Sequence, residues 1–508
     1  MGKELLLAVD LGTSFVKAGA YNLDSECVAI ASEPVKDERP APGIFIQHGE
    51  QLFESVVNCI KKVHDQIGER MQDIAGIAFT GQMAGFMGVG ENWEDITGYS
   101  CSLDTRFTPY AERQMKELAG DFLEISGTNS PLFSTKYEWF KSEFPGEAKK
   151  IRKYLMLQSY ITGKLGDADI EDATIDGSLL AWTGLADIKN RGWSEVICDK
   201  LDINRDCLPR VVESDEVVGH LSEKIAKVTG LKCGIPLVAG AGDKMAGCVG
   251  ANILRKGDMI FEAGSYGGLS CLVDDFRPDT KSKLFDVLDG CFKGDLYAHH
   301  YIPGSGITLD WFMDTFGQGY GDDLGEAFVK IDEEVSKIAP GCNGLMAVGM
   351  LGGTAMPMNG DLKGVWIGHD WSHTKAHFYR SLLEDFSFTL TSVIRRINEE
   401  YPDANQDRVR IIGGGAKSKV WTQMLADCTG KSFERLNRDD VALWGSSILA
   451  ASGVGLIDDI KKVASEHVQV KTVYTPNPEM TEIYKPLMER SIRLTEDMAK
   501  QFAAMKQY

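Results

Sequence analysis

Four short stretches of this 508-residue chain carry residue types that could bind phosphate or move a proton. The first, Asp10-Leu11-Gly12-Thr13-Ser14, has no bulky side chain in its turn. Backbone N–H groups and hydroxyls can therefore approach anionic oxygens there, and Asp10 could hold a metal ion. An ordinary hairpin turn accounts for the same residues. The second runs from Leu237 through Gly240-Ala241-Gly242 to Asp243. It delivers a carboxylate after small residues and before an expected helix, where it could be a general base, a metal-bound group or a helix cap. The third, Glu262 to Gly268, reads either as a phosphate loop or as a glycine-relaxed turn. The fourth is Gly413-Gly414-Gly415-Ala416. Three consecutive glycines are costly in a folded chain, so a backbone surface against a flat ligand explains them, as does a hinge.

Each stretch needs a strand to deliver it. Residues 5–9, 15–21 and 27–31 read as a three-stranded meander with Gly, Asn, Asp and Ser in its turns. Residues 52–67 have helical spacing, and 74–79 are a short buried strand ending at Thr80-Gly81. Helix and strand signals then alternate to about Gly242, which predicts an α/β domain. Near the middle, 258–261 and 269–273 repeat the opening pattern of apolar strand, acidic residue, glycine turn and second strand. An internal duplication is one reading of that echo, with 250–257 as the linker between halves of similar size. Farther on, 375–398 is a helix with one apolar face, and 409–412 is a strand feeding the three glycines. Helices follow at 419–428 and 441–452, the latter rich in small residues for close packing, and a final amphipathic helix spans 479–506.

Composition narrows the function. Lys and Arg total 54 against 74 Asp and Glu, a net charge of −20, which argues against a nucleic-acid partner because clustered cations carry that affinity. The length predicts two to four domains. The 11 cysteines include no CxxC pair and read as small buried hydrophobes in a reducing compartment. The apolar run after Met1-Gly2-Lys3-Glu4 is too short for a leader, and residues 443–457 are too short to span a bilayer, so a cytoplasmic chain without a membrane partner is expected. Other motifs fail on spacing. Gly430-Lys431-Ser432 lacks the earlier glycine of a nucleoside-triphosphate loop, where Leu425 stands. Gly240-x-Gly242 lacks the third glycine of a dinucleotide fingerprint. His373/His377 and the adjacent pair His299-His300 do not make a plausible metal site.

Taken in order, the loops resemble the FGGY family of carbohydrate kinases, members of the actin-like ATPase superfamily, and the likeness runs to about Gly455. Thr80-Gly81-Gln82-Met83 and Asp104-Thr105-Arg106 resemble the family's sugar-side segments. Thr183-Gly184-Leu185 through Trp193-Ser194, Leu208-Pro209, Val218-Gly219 and Gly234-Ile235-Pro236 follow its N-terminal domain. Gly364-Val365-Trp366-Ile367-Gly368 is similar to its second signature, and 413–421 to its adenosine loop.

The resemblance implies an α/β chain of two ribonuclease H-like (actin-like ATPase) domains with a nucleotide/sugar cleft between them. Residues 1–250 would carry the sugar site and first phosphate loop, and 251–508 the adenosine site and C-terminal helix. It implies ATP and Mg²⁺, with Asp243 as catalytic base and Asp10 and Asp243 beside the metal. Gly12, Thr13 and Ser14 with Gly264 and Ser265 would grip phosphates; Gly414, Gly415 and Ala416 would receive adenosine, and Gly304 would belong to another nucleotide-side loop. Gln82, Met83, Asp104 and Asp243 would face the sugar. The implied activity is transfer of the γ-phosphate of ATP to a hydroxyl of a small xylulose-like ketose or polyol. Kinases for glycerol, a tetritol or a sugar acid are alternatives, as is a sugar- and nucleotide-binding sensor without turnover; a homodimer is left open. A chaperone-like or filament-forming relative is disfavoured by the sugar-side motifs. Departures bear on the substrate: Ala84 and Ser102 stand where xylulokinase-like members often carry His and Trp, and Gly352 to Pro357 departs from the family's usual segment. Lys244 after the implied base is also atypical and reads either as a phosphate contact or, preferably, as helix surface.

Overall fold

The computed structural model describes residues 4–321 and 323–505. Met1-Gly2-Lys3 and Lys506, the expected last residue of the final helix, lie outside the described residues. The first sheet contains β1 (Leu5–Leu11), β2 (Phe15–Tyr21), β3 (Cys27–Pro34), β4 (Ile74–Gly81), β5 (Val217–His220) and β6 (Pro236–Gly242), in the order β5-β6-β4-β1-β2-β3. The expected meander forms β1 to β3, antiparallel throughout. β4 and β6 then continue the sheet parallel to β1.

Alternation along β1 explains its burial on both faces. Leu5, Leu7, Val9 and Leu11 pack with Leu52, Val56 and Ile60 of helix α1 (Gly49–Ile67). Leu6 points the other way, into a cluster with Ala78, Val238, Ala450 and Ala451. Each fully buried Leu or Val contributes about 1.5–3 kcal/mol through removal from water. The register matters most for function: Asp10 lies opposite Thr80, and Gly81 lies opposite both Leu11 and Gly242. Three parallel strands therefore end level, at the edge where open α/β sheets bind ligands.

The second sheet contains β7 (Met259–Ala263), β8 (Gly267–Val273), β9 (Asp286–Asp289), β10 (Leu296–Ile302), β11 (Arg408–Ile412), β12 (Ser432–Leu436) and β13 (Val470–Tyr474). Its order is β9-β10-β8-β7-β11-β12-β13. An antiparallel hairpin, β7-β8, is again followed by parallel strands, β11 and β12. The sequence echo near the middle is thus a repeat of topology. Glu262 lies opposite Ile412, so the Gly264 and Gly413 turns leave the sheet side by side.

Among the helices, α2 (Asp243–Gly250) follows β6 directly, α3 (Lys375–Glu400) and α4 (Lys419–Thr429) cover the second sheet, and α6 (Pro478–Met505) packs on both of these. The helix between them in sequence, α5 (Val441–Gly453), crosses to the first sheet and lies on α2, β1 and β4. Its small residues permit that contact. A β-carbon on Gly445 would sit 1.9 Å from the Ala246 carbonyl oxygen, and one on Gly250 would sit 2.0 Å from that of Val441. Gly445→Val should therefore force α2 and α5 apart and cost about 1–3 kcal/mol or more. It should appear as a lower apparent Tm, while Gly120→Ala, in open space on the helix Thr108–Glu124, should leave Tm unchanged or raise it.

Candidate active site

The level strand ends bring Asp10, Gln82 and Asp243 to one edge. Asp243 is the first helical residue of α2, and among the described residues its Oδ1 accepts only from the Lys244 backbone N–H, at 2.7 Å. A capping side chain reaches the second or third N–H of its helix, so this carboxylate is not acting as a cap. Burial pushes its pKa up; the Lys244 ammonium opposes that push, and Glu262 adds to it. Asp10 is pushed up to about 6, chiefly by burial, with Lys17 opposing and the Asp243 and Glu262 charges adding. Its side chain is 18% exposed, and its one cation partner among the described residues, Lys17 Nζ, stands 4.0 Å away. Three carboxylates from the two strand rows thus feel one another across a single opening. Thr13 and Ser14 sit at the exposed turn beside them, with the Thr13 carbonyl held by Gln47 Nε2 at 2.7 Å.

Across the opening, Gly264 and Ser265 form a turn braced from behind by the helix Ser305–Phe316. The Gly306 N–H donates to the Gly264 carbonyl and the Ile307 N–H to that of Ser265, each at 3.2 Å. Beside this turn lies a cavity of about 610 Å³, a size suited to a nucleoside. Gly264, Ser265, Gly306, Gly414 and Gly415 line it, with Leu309, Phe328 and Trp421 as apolar walls and Asp310 and Asp332 as carboxyls that burial pushes up. Gly415 is a close-approach glycine, because a β-carbon there would lie 2.4 Å from the Trp421 ring. That packing, together with the Gly413 turn lying on Ala263 and Gly264, disfavours the hinge reading. Two expected nucleotide residues do not line this cavity. Ala416 is buried at 2% exposure, and Gly304 stands at the N-cap of the brace helix.

The sugar-side expectations divide. Gln82 is brought to the edge, its Nε2 donating to the Gly12 carbonyl and Gln47 Oε1 at 3.3 Å each. Met83 is buried against Gly242, next to Asp243. Asp104 corrects the expectation of a sugar-facing carboxylate. It has no exposed surface, and its oxygens are taken by Arg106 Nε at 2.9 Å, Arg106 Nη2 at 2.7 Å and Ser100 Oγ at 2.7 Å. The group it presents is the Arg106 guanidinium, 4.6 Å above the Trp139 ring and 23% exposed.

Several residues at the opening carried little sequence signal. Lys136 is wholly buried and donates to the carbonyls of Cys101 at 2.7 Å, Ser100 at 2.8 Å and Ala84 at 3.4 Å, which ties the Gln82 segment to the Asp104 turn. Burial pulls its pKa down to about 8. Tyr266 and Tyr301 stack at 5.5 Å and 18° beside the Gly264–Ser265 turn. Lys244, expected on the helix surface, instead pairs with Glu262 on β7.

The rejected motifs hold other posts. His299 Nδ1 meets Ser270 Oγ at 3.0 Å, His300 Nδ1 meets the Leu284 carbonyl at 2.6 Å, and Lys431 Nζ bonds Asn405 Oδ1 at 2.6 Å. Among the described residues no group of three or more His, Cys, Asp or Glu could hold a metal by itself. The Lys136 tether generates a test. Lys136→Met strands buried carbonyls, at about 1–3 kcal/mol, so KM for a substrate held beside Gln82 should rise about tenfold or more while KM for one held in the cavity beside Gly415 stays within about twofold. Equal losses on both substrates would contradict the tether.

Comparison with known proteins agrees with this geometry. Two family models match, the N-terminal domain of the FGGY family of carbohydrate kinases over residues 5–250 and its C-terminal domain over 273–454. The xylulose kinase of Bacillus subtilis (strain 168) is 27% identical over 488 residues, 95% of this chain and 95% of that protein. The gluconokinase of the same strain is 27% identical over 521 residues, 99% of this chain and 98% of its own. The structure of a ligand-bound xylulose kinase from Lactobacillus acidophilus superimposes with a TM-score of 0.89 at 19% identity, covering 99% of this chain and all of that one, so the two-domain actin-like fold is shared. The chain belongs to the FGGY family of carbohydrate kinases.

Proposed function

We propose that this protein transfers the γ-phosphate of ATP to a hydroxyl of a small ketose or polyol, with Asp243 as the base. The observation that carries the reading is the half-buried Asp243 carboxylate, bonded among the described residues only to its neighbour's N–H, with Lys244 beside it paired to Glu262, two residues before the Gly264–Ser265 turn. Burial raises its proton affinity, which suits a group that must accept a hydroxyl proton as the O–P bond forms. Phosphoryl transfer asks mainly for in-line positioning and charge neutralisation, and backbone N–H groups at the Gly12–Ser14 and Gly264–Ser265 turns supply donors without added charge. The cavity beside Gly415 and Trp421 receives the adenosine end, with Gly414, Ala416 and Gly304 shaping the turns behind it. Gln82, Met83 and Arg106 bound the sugar end, with Asp104 holding Arg106 in place.

Residues 1–250 and 251–508 are the two working units of this reading, and the chain acts in the cytoplasm. No helix among the described residues is long and apolar enough to cross a membrane. Asp10 and Asp243 fit a hard divalent cation: Asp10 takes no hydrogen-bond donor among the described residues, and Mg²⁺ needs only one or two carboxylates when water and phosphate oxygens complete its shell. When bound, Mg²⁺ supplies neutralisation of the triphosphate charge. The gluconokinase relative supports a second acceptor class, sugar acids.

A coupled ADP-release assay over ketoses, polyols and sugar acids identifies the acceptor. Asp243→Ala should lower kcat on the best acceptor about 10²–10⁴-fold, as loss of a general base does, with apparent Tm and ATP affinity near wild type. Near-normal turnover in that variant would refute the assignment.

A further inference from the structure

Lys244 stands where the two strand rows meet. It follows Asp243 at the start of α2, and its ammonium pairs with Glu262 at the end of β7, two residues before Gly264. A β-carbon on Gly268 of β8 would lie 3.9 Å from Nζ, so the cation also overlooks the strand that leaves the phosphate turn. The pair is not sealed away: the Lys244 side chain is 18% exposed and that of Glu262 35%. Three carboxylates, Asp10, Asp243 and Glu262, face this opening, and a triphosphate would bring further negative charge. Of the two lysines beside them, Lys17 pairs with Asp10 on the first sheet, at 49% exposure. Lys244 alone of the two joins the side of the base to the side of the phosphate turn.

Resting on the kinase reading of this opening, we propose that Lys244 is a further catalytic residue, whose ammonium leaves Glu262 for the non-bridging oxygens of the phosphoryl group in transit. In that step the acceptor oxygen bonds to the γ-phosphorus as the bond from phosphorus to the β–γ bridging oxygen breaks. The hydroxyl proton passes to Asp243, ADP departs, and Lys244 stays protonated throughout. A lysine suits this post because its compact charge on a flexible stem can follow a moving group, where a fixed guanidinium fork would not. Glu262 parks the cation in the free protein.

The competing account is a strap, in which the ion pair serves only to hold the two halves together. Four variants separate the two: Lys244→Met, Lys244→Arg, Glu262→Gln and the double Lys244→Met/Glu262→Gln. Each is assayed for kcat and for KM of the best acceptor, with apparent Tm as the check on folding. Lys244→Met should lose about 10²–10³ in kcat, the usual effect of removing one charge-stabilising donor, with acceptor KM little changed. Lys244→Arg should recover part of the loss, since it keeps the charge. Glu262→Gln should stay within a few-fold of wild type because the cation remains. The double variant should be as slow as Lys244→Met. If Glu262→Gln is as slow as Lys244→Met, or if the double variant recovers, the pair is a strap and the inference is overturned. It is equally overturned if Lys244→Met turns over normally in an otherwise active enzyme. A wild type that releases no ADP with any acceptor overturns the kinase reading itself and this inference with it.

Discussion

Parallel register between β1, β4 and β6 is the constraint on which the active site rests. Because Leu11, Gly81 and Gly242 end their strands level, with Asp10 one residue earlier opposite Thr80, the residues around them emerge at one edge without further adjustment. The second sheet repeats the device, with β7 and β11 delivering the Gly264 and Gly413 turns together. Buried, doubly covered strands fix such a register firmly, since a one-residue slip would turn Leu5, Leu7 and Val9 away from α1. Helix α5 then bridges the architecture. It leaves the second sheet, packs on the first and lies directly on α2, the helix that Asp243 begins. The contact is possible only because Gly250 and Gly445 let two backbones approach.

Electrostatics at this edge run against first intuition. A chain of net charge −20 gathers three carboxylates at the place where the proposed function puts a polyanion. Burial pushes Asp10 and Asp243 upward, with the Glu262 charge adding at both and the Asp243 charge adding at Asp10, which in the proposed function suits a site that must take up a hydroxyl proton. In the proposed function, phosphate is met instead by backbone N–H groups in glycine turns, which donate without carrying charge, and by the lysine held on Glu262. Overall surface sign therefore says little about this opening.

Much of this was legible in the sequence, for a local physical reason. Aspartate at a strand end followed by glycine and hydroxyl residues leaves a contiguous signature, and so do three glycines before a helix. The meander, the α3 and α4 helices and the close-packing character of α5 were readable from period and residue size. What failed to read depends on distant partners. Asp104-Thr105-Arg106 looks the same whether the carboxylate meets a ligand or its own arginine, and the fold chose the arginine. Lys136 is buried because carbonyls from two remote segments converge on it. The Tyr266–Tyr301 stack exists only through the pairing of β8 with β10, and Lys244 finds Glu262 only when the two strand rows face each other. The sheet that α5 would cover could not be read from its own residues.

A structure of the protein with a non-hydrolysable ATP analogue tests the central claim most directly. The account predicts the adenosine over Gly415 and Trp421 and the γ-phosphate at the Gly264–Ser265 turn, pointing toward Asp243. The gap between them should admit one acceptor hydroxyl, with reacting atoms about 3–3.5 Å apart. A triphosphate that turns away from Asp243, or a nucleoside seated elsewhere than the cavity beside Gly415, would contradict it.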